Sequence, residues 1–169
     1  MKKLSVLLLS FVFLASVAVS QTKEEAAKYA EYGFSVTLPD HVVLAHTHDT
    51  GKDAKGQPTK SDNFVSQDGN YIVDCTEYVD TITVTSADLE TWIKTLGKNY
   101  EETSEVTQGK KNGQPMAMAS FFAQSDDGHK MTIDVLMTYK GNRLYIIQYI
   151  RGFSGDILGA LFLENFKLQ

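Results

Sequence analysis

From Phe34 to Leu168 short apolar runs alternate with turn signals, and the spacing of the apolar positions separates strand from helix. Phe34, Val36 and Leu38 alternate with Ser35 and Thr37, the two-residue period of a half-buried strand. Pro39-Asp40 then turns the chain into a second predicted strand over 42–48. Asp68-Gly69, Asn112-Gly113 and Asp127-Gly128 are hairpin signals, because a tight primed turn needs positive φ, which Gly and Asp tolerate. Gly141-Asn142 is a weaker signal of the same kind. Around these turns, strands are predicted near 63–67, 70–78, 103–109, 114–124, 130–139 and 144–150. Such a succession describes an antiparallel meander, since parallel neighbours need long crossovers.

Two stretches follow the helical period instead. Leu89, Trp92, Ile93, Leu96 and Tyr100 fall on one helix face, and Thr85 with Asp88 makes a capping box before them. A second helix is predicted over 154–163, with Ile157, Leu158, Leu161 and Phe162 as its stripe and Ser154 as its cap. Residues 22–31 read as a short helix or frayed lead-in that Tyr32-Gly33 breaks. Residues 50–62 hold no apolar side chain larger than alanine and read as an exposed, mobile loop.

The strands near the carboxyl end set the expected layers. Met131, Ile133, Val135, Met137 and Tyr139 share one face, while Thr132, Asp134 and Thr138 accompany Leu136 on a partly wet one. Leu144, Ile146 and Ile150 oppose Tyr145, Ile147 and Tyr149, so that strand is apolar on both sides. The expectation is one α+β domain over 21–169, an antiparallel meander flanked by helices on both faces as an α/β/α sandwich.

The order of parts resembles the PsbP-like family, founded on an extrinsic subunit of the oxygen-evolving photosystem, together with its secreted bacterial relatives. The resemblance rests on the opening Tyr32-Gly33-Phe34-Ser35-Val36-Thr37-Leu38-Pro39 and on the strand Leu144-Tyr145-Ile146-Ile147-Gln148-Tyr149. It extends to the closing Asn165-Phe166-Lys167-Leu168 and spans residues 24–168. Family members often carry a tryptophan after the opening proline, where this chain has His41-Val42-Val43. The resemblance implies a non-enzymatic accessory or binding domain with an antiparallel sheet between helices.

The amino-terminal end carries a different message. Lys2 and Lys3 precede an almost unbroken apolar run from Leu4 to Val19 that exits through Ala18-Val19-Ser20. A positive start, an apolar middle and a small-residue exit make a secretory signal peptide over 1–20, with cleavage expected before Gln21. The run falls short of the roughly 20 residues that cross a bilayer. No second apolar span follows, so the mature chain is expected to be soluble, periplasmic or extracellular, with no membrane span. Cys75 is the sole cysteine, which excludes an internal disulfide.

Of 169 residues, 16 are Lys or Arg and 21 Asp or Glu, a net charge of −5. Loss of Lys2 and Lys3 with the leader leaves 14 basic against 21 acidic residues, a net charge of −7. That surface repels phosphate backbones, so nucleic acid is not an expected partner.

The candidate chemistry is sparse. His46 and His48 stand at i and i+2 on a predicted strand, so both imidazoles can face one metal ion. Asp49 and His41 face the other way, and further ligands, such as His129 or an acid, must come from elsewhere. Gly152-Phe153-Ser154-Gly155-Asp156 fails as a hydrolase elbow, because Asp156 replaces the last glycine and no histidine follows Ser154. Gly51-Lys52-Asp53-Ala54-Lys55-Gly56 continues Gln57-Pro58 instead of Lys-Ser/Thr, so it is not a phosphate loop. Cys75, with Asp74 and Glu77 nearby, reads as a small buried hydrophobe. Glu101, Glu102 and Glu105 read as a solvated run, and Met116, Met118, Met131 and Met137 as core filling.

The expected function is therefore a secreted or periplasmic non-enzymatic binding or accessory domain without cofactor. A protein partner or small ligand would sit in a groove between sheet and helix; the oligomeric state is not set by the sequence. The alternative is a small hydrolase or metal-assisted enzyme built on His46, His48 and His129. Amino-terminal sequencing of the protein recovered from the periplasm or medium is expected to begin at Gln21.

Overall fold

The computed structural model describes residues 29–39, 42–124, 128–152 and 157–169. Among them, a 3-10 turn at Ala30–Tyr32 leads into β1 (Phe34–Ser35), and β2 (Leu44–Lys52), β3 (Pro58–Ser66) and β4 (Tyr71–Tyr78) follow as hairpins. Helix α1 (Ser86–Gly97) then interrupts the strands. After it come β5 (Glu102–Thr103), β6 (Thr107–Lys111), β7 (Gln114–Gln124), β8 (Lys130–Lys140) and β9 (Arg143–Arg151). Helix α2 (Ile157–Asn165) and β10 (Lys167–Leu168) close the chain.

Every described strand pairing is antiparallel, in the order β2-β3-β4-β9-β8-β7-β5 with β6 also on β7. Two meanders, β2–β4 and β7–β9, are thus joined where β4 pairs with β9, setting Val73 opposite Ile147 and Cys75 opposite Tyr145. The β6–β7 turn shows why its sequence signal works. Asn112 and Gly113 have φ of 50° and 80°, the left-handed pair that a primed turn requires.

Alternation sends each strand's side chains to opposite faces. On the first face, Leu89 and Ile93 of α1 are fully buried against Ala117, Ala119 and Phe121 of β7 and Ile133, Val135 and Met137 of β8. The alanines let the helix lie close to the sheet. Thr85 and Asp88 close the capping box at its start, with Thr85 N–H donating to Asp88 Oδ2 at 2.8 Å. Tyr100, past the helix end, stacks on Phe121 at 4.6 Å between centroids.

The second face is closed mainly by extended chain. Phe34, Val36, Leu38, Val42 and Leu44 are buried, and of these only Phe34 and Leu44 lie in strands. Phe34 is fully buried, with its ring 5.2 Å from Tyr29, 5.3 Å from Phe64 and 5.5 Å from Phe166. Phe162 and Leu163 of α2 complete this cluster over Tyr71, Leu136, Tyr145 and Ile147. Gly33 makes the approach possible. Its φ is 78°, and a Cβ there would stand 2.7 Å from Tyr145 Oη, which donates to Tyr32 O at 3.0 Å. The β1–β10 pairing and Gln169 N–H on Gly33 O at 2.8 Å fasten the segment.

These observations correct the sandwich expectation. Against ten described strands stand two α-helices, of 12 and 9 residues, so the fold is sheet-dominated and not an α/β/α sandwich flanked by helices on both faces. Strands apolar on both sides do need two covers, but aromatic extended chain serves as well as a helical layer. Residues 50–62 are corrected too. They form the outer half of the β2–β3 hairpin, whose 53–57 turn is held by Asp53 Oδ1 accepting from Lys55 N–H and Gln57 N–H at 2.8 Å. The hairpin's outer half extends beyond the core, so its strands lack apolar alternation. The strand expected at 103–109 is split into β5 and β6. The proposed leader, most of 22–31, His41 and the Ser154 cap lie outside the described residues.

Phe34→Ala is expected to cost about 3–5 kcal/mol. Denaturant unfolding should show a lower midpoint at unchanged slope, while Phe122→Ala, at a 37% exposed position, should move the midpoint little.

Candidate functional site

His46 and His48 share a face of β2, as their spacing requires. The hairpin register sets His48 opposite Asp62 and His46 opposite Phe64. Both imidazoles meet one carboxylate oxygen, with His46 Nε2 at 2.8 Å and His48 Nδ1 at 3.0 Å from Asp62 Oδ1. His46 also stacks on Phe64 at 4.7 Å and meets the edge of Tyr32. Burial works to raise the pKa of Asp62, but the hydrogen bonds from His48 and His46 outweigh it and hold the carboxyl below its ordinary value.

This is a hydrogen-bonded triplet shared between the edge strand β2 and its neighbour β3. Among the described residues, no group of three or more His, Cys, Asp or Glu side chains is placed to hold a metal ion. Asp49 instead accepts from Thr50 N–H at 2.7 Å. His129 precedes β8, with β3, β4 and β9 between it and β2, a lateral gap of about 19 Å at ~4.8 Å per strand. The structure brings His46 and His48 together and leaves His129 apart. Asp62 was hidden from the sequence because the hairpin that delivers it has no apolar alternation.

Cys75 is buried on β4, where its thiol reaches Tyr32 O at 3.8 Å. Burial pushes its pKa up to about 12, against the opposing effect of Arg143, so the thiol stays protonated and unreactive at neutral pH. Asp74, on the other face of β4, has its pKa raised by burial and accepts from Gln148 Nε2 at 3.2 Å and from Asn63 Nδ2. Both oxygens of the Asp74 carboxylate thus have a donor, which marks a structural cluster.

A concave site lies elsewhere, on the second sheet face beyond the aromatic cluster. Met116, Met118 and Ser120 of β7 and Asp134 and Leu136 of β8 form its floor. Leu163 and Glu164 of α2 wall one side, and Ser104, Glu105 and Thr107, from the β5–β6 connection and the start of β6, rim it with Lys111. The cavity is about 410 Å³, within the range of small-molecule sites. Met116 lies over Gly109, where a Cβ would meet its methyl at 3.0 Å.

Polar groups stand at both ends of this floor. At one, Ser120 Oγ donates to Asp134 Oδ1 at 2.6 Å, and Arg151 pairs with the same carboxylate at 2.9 Å. At the other, the Lys111 ammonium donates to Leu163 O at 3.1 Å and to Glu164 O, the open carbonyls at the end of α2. Burial lowers the pKa of Lys111; Glu164 opposes that effect and Lys167 adds to it. A second cavity of about 410 Å³ includes Glu101, Glu102, Phe122, Lys130 and Met131. It has fewer apolar walls, so the first is the better candidate. The sequence offered one sign of it, the wet face carrying Asp134 and Leu136. Met137 is buried in the core under α1, as core filling requires, whereas Met118 is half-buried at the groove.

The pairing of Asp62 with two imidazoles has a pH signature. A carboxylate with a depressed folded pKa stabilises above its unfolded value, about 3.9, and that stabilisation is lost as pH falls through the folded value. Asp62→Asn should therefore melt below the native protein at pH 7, with the gap closing as pH drops beneath about 3.9 in parallel thermal melts.

No family model matches this chain, and no curated protein matches it. A crystal structure from Bacteroides thetaiotaomicron VPI-5482 is similar at 14% identity and a TM-score of 0.47, over 81% of this chain and 45% of that one. This chain thus spans less than half of that protein's length, and a likeness of that degree carries no argument about function.

Proposed function

We propose that the protein is a secreted or periplasmic non-enzymatic binding domain, and that the groove over β7 and β8 receives a small, largely apolar ligand. The observation that carries this reading is a cavity of about 410 Å³ with Met116, Met118, Leu136 and Leu163 between two polar ends. Methionine suits such a floor, since its flexible, polarizable thioether adapts to a ligand's shape. The site needs no rearrangement of the core, because the face under α1 and the aromatic cluster around Phe34 are already filled. The leader over 1–20 supports export, and among the described residues no helix is long and apolar enough to cross a membrane.

The hydrolase or metal-assisted alternative gains no support from the geometry. It would need His46, His48 or His129 to converge with carboxylates in a concave site. His46 and His48 meet the Asp62 carboxylate on the exposed face of the β2–β3 hairpin, and His129 lies three strands away. The Asp134 carboxylate pairs with Arg151 and accepts from Ser120 Oγ, an arrangement suited to fixing a bound ligand's orientation.

Met118→Trp fills the groove from its floor. Titration with a neutral apolar fluorescent dye is expected to give saturable one-to-one binding to the native protein and at least about tenfold weaker binding to Met118→Trp. Equal binding to both proteins would remove the groove as the site.

A further inference from the structure

Lys111 is the groove's one lining cation among the described residues, and its bonding is incomplete. An ammonium has three N–H donors. Two go to Leu163 O and Glu164 O, and no described carboxylate forms an ion pair with it. The three carboxylates of the lining do not compete equally for a ligand. Asp134 is saturated by Ser120 and Arg151, while Glu105 and Glu164 are exposed residues that water satisfies. The polar group that faces the groove half-buried with a spare donor is therefore a cation, and its complement is an acceptor with negative charge.

The floor gives the shape of the rest. From Met116 to Ser120 β7 runs about 13 Å at ~3.3 Å per residue, with Leu136 opposite Met118 on β8. An unbranched apolar tail lying along this line would leave its head near Lys111, whose neighbour across the ladder is Gln114. We infer that the ligand class of this groove is an amphiphilic carboxylate of medium chain length, with its carboxylate on Lys111 and its tail over Met116, Met118 and Leu136.

This inference rests on the groove being the binding site, and the test separates the two. Decanoate, decanol and decylamine, each kept below micelle formation, are titrated into the purified protein by calorimetry. The expected result is one-to-one binding of decanoate about tenfold or more tighter than either of the others, the scale of one charge-assisted hydrogen bond. Lys111→Gln should bring decanoate down to the affinity of decanol, and Lys111→Arg should keep its advantage. Decanol binding as tightly as decanoate, or decylamine binding more tightly, would overturn the carboxylate assignment and leave the groove standing. If none of the three binds, or if Met118→Trp binds all three as the native protein does, both the groove and its ligand class are wrong. Should Lys111→Gln lose the fold by releasing α2, seen as a collapsed thermal transition, the head-group series on native protein decides alone.

Discussion

The packing of Phe34 against Tyr29, Phe64 and Phe166 is the interaction on which the architecture depends. A sheet of this size presents two apolar faces, and the described residues include two α-helices with which to cover them. Without another cover, Tyr71, Val73, Tyr145, Ile147 and Tyr149 would stand in water. Extended chain solves the problem because every second side chain can point inward, and an aromatic ring buries on the order of 150–250 Å². Phe34, Val36 and Leu38 do this with backbone that is mostly outside any sheet. The cover is narrow, however. It lies over β3, β4 and β9, and beyond it Leu163 and Glu164 near the end of α2 stand beside the groove over β7 and β8.

The hairpins could be read from the sequence because each is set by a local rule: Asn112-Gly113 can adopt a primed turn whatever surrounds it. Alternation likewise gave the two faces of β8 and β9, with Asp134 half-buried on the partly wet one, although Thr138 on that same face is fully buried. The nature of the covering layer was not legible, since the demand for a cover is written in the strand but its supplier is a distant segment. Phe34 through Leu38 showed the right period, and nothing local distinguishes an alternating segment that pairs from one that lies across a sheet. The β2–β3 arm failed for the opposite reason. Its backbone pairs over residues such as Thr50 and Lys60 that bury little, so ladder geometry exists without the hydrophobic pattern that announces it.

The same asymmetry governs the sites. That His46 and His48 face one way followed from period alone, whereas Asp62 arrives through cross-strand register. Once Asp62 is present, both histidines have a hydrogen-bond partner, and among the described residues no three His, Cys, Asp or Glu side chains are placed to hold a metal ion. A groove between sheet and helix is expected from the sequence, but its lining is not legible there. The residues are common types drawn from β6, β7, β8 and α2, and only tertiary packing shows that Met116 and Met118 lack a full cover.

Lys111 links that groove to the fold. A helix ends with unpaired carbonyls and the negative pole of its dipole, and an ammonium placed there satisfies both. Burial opposes keeping this ammonium charged, which is why its pKa falls, so the position of α2 and the charge of Lys111 support one another. An anion entering the groove would favour the charged form, and by reciprocity the charged form would favour the anion. The contact that docks α2 against β6 is therefore also the contact a ligand would strengthen. If such an anion binds, its binding and the docking of α2 would then be coupled through this one ammonium.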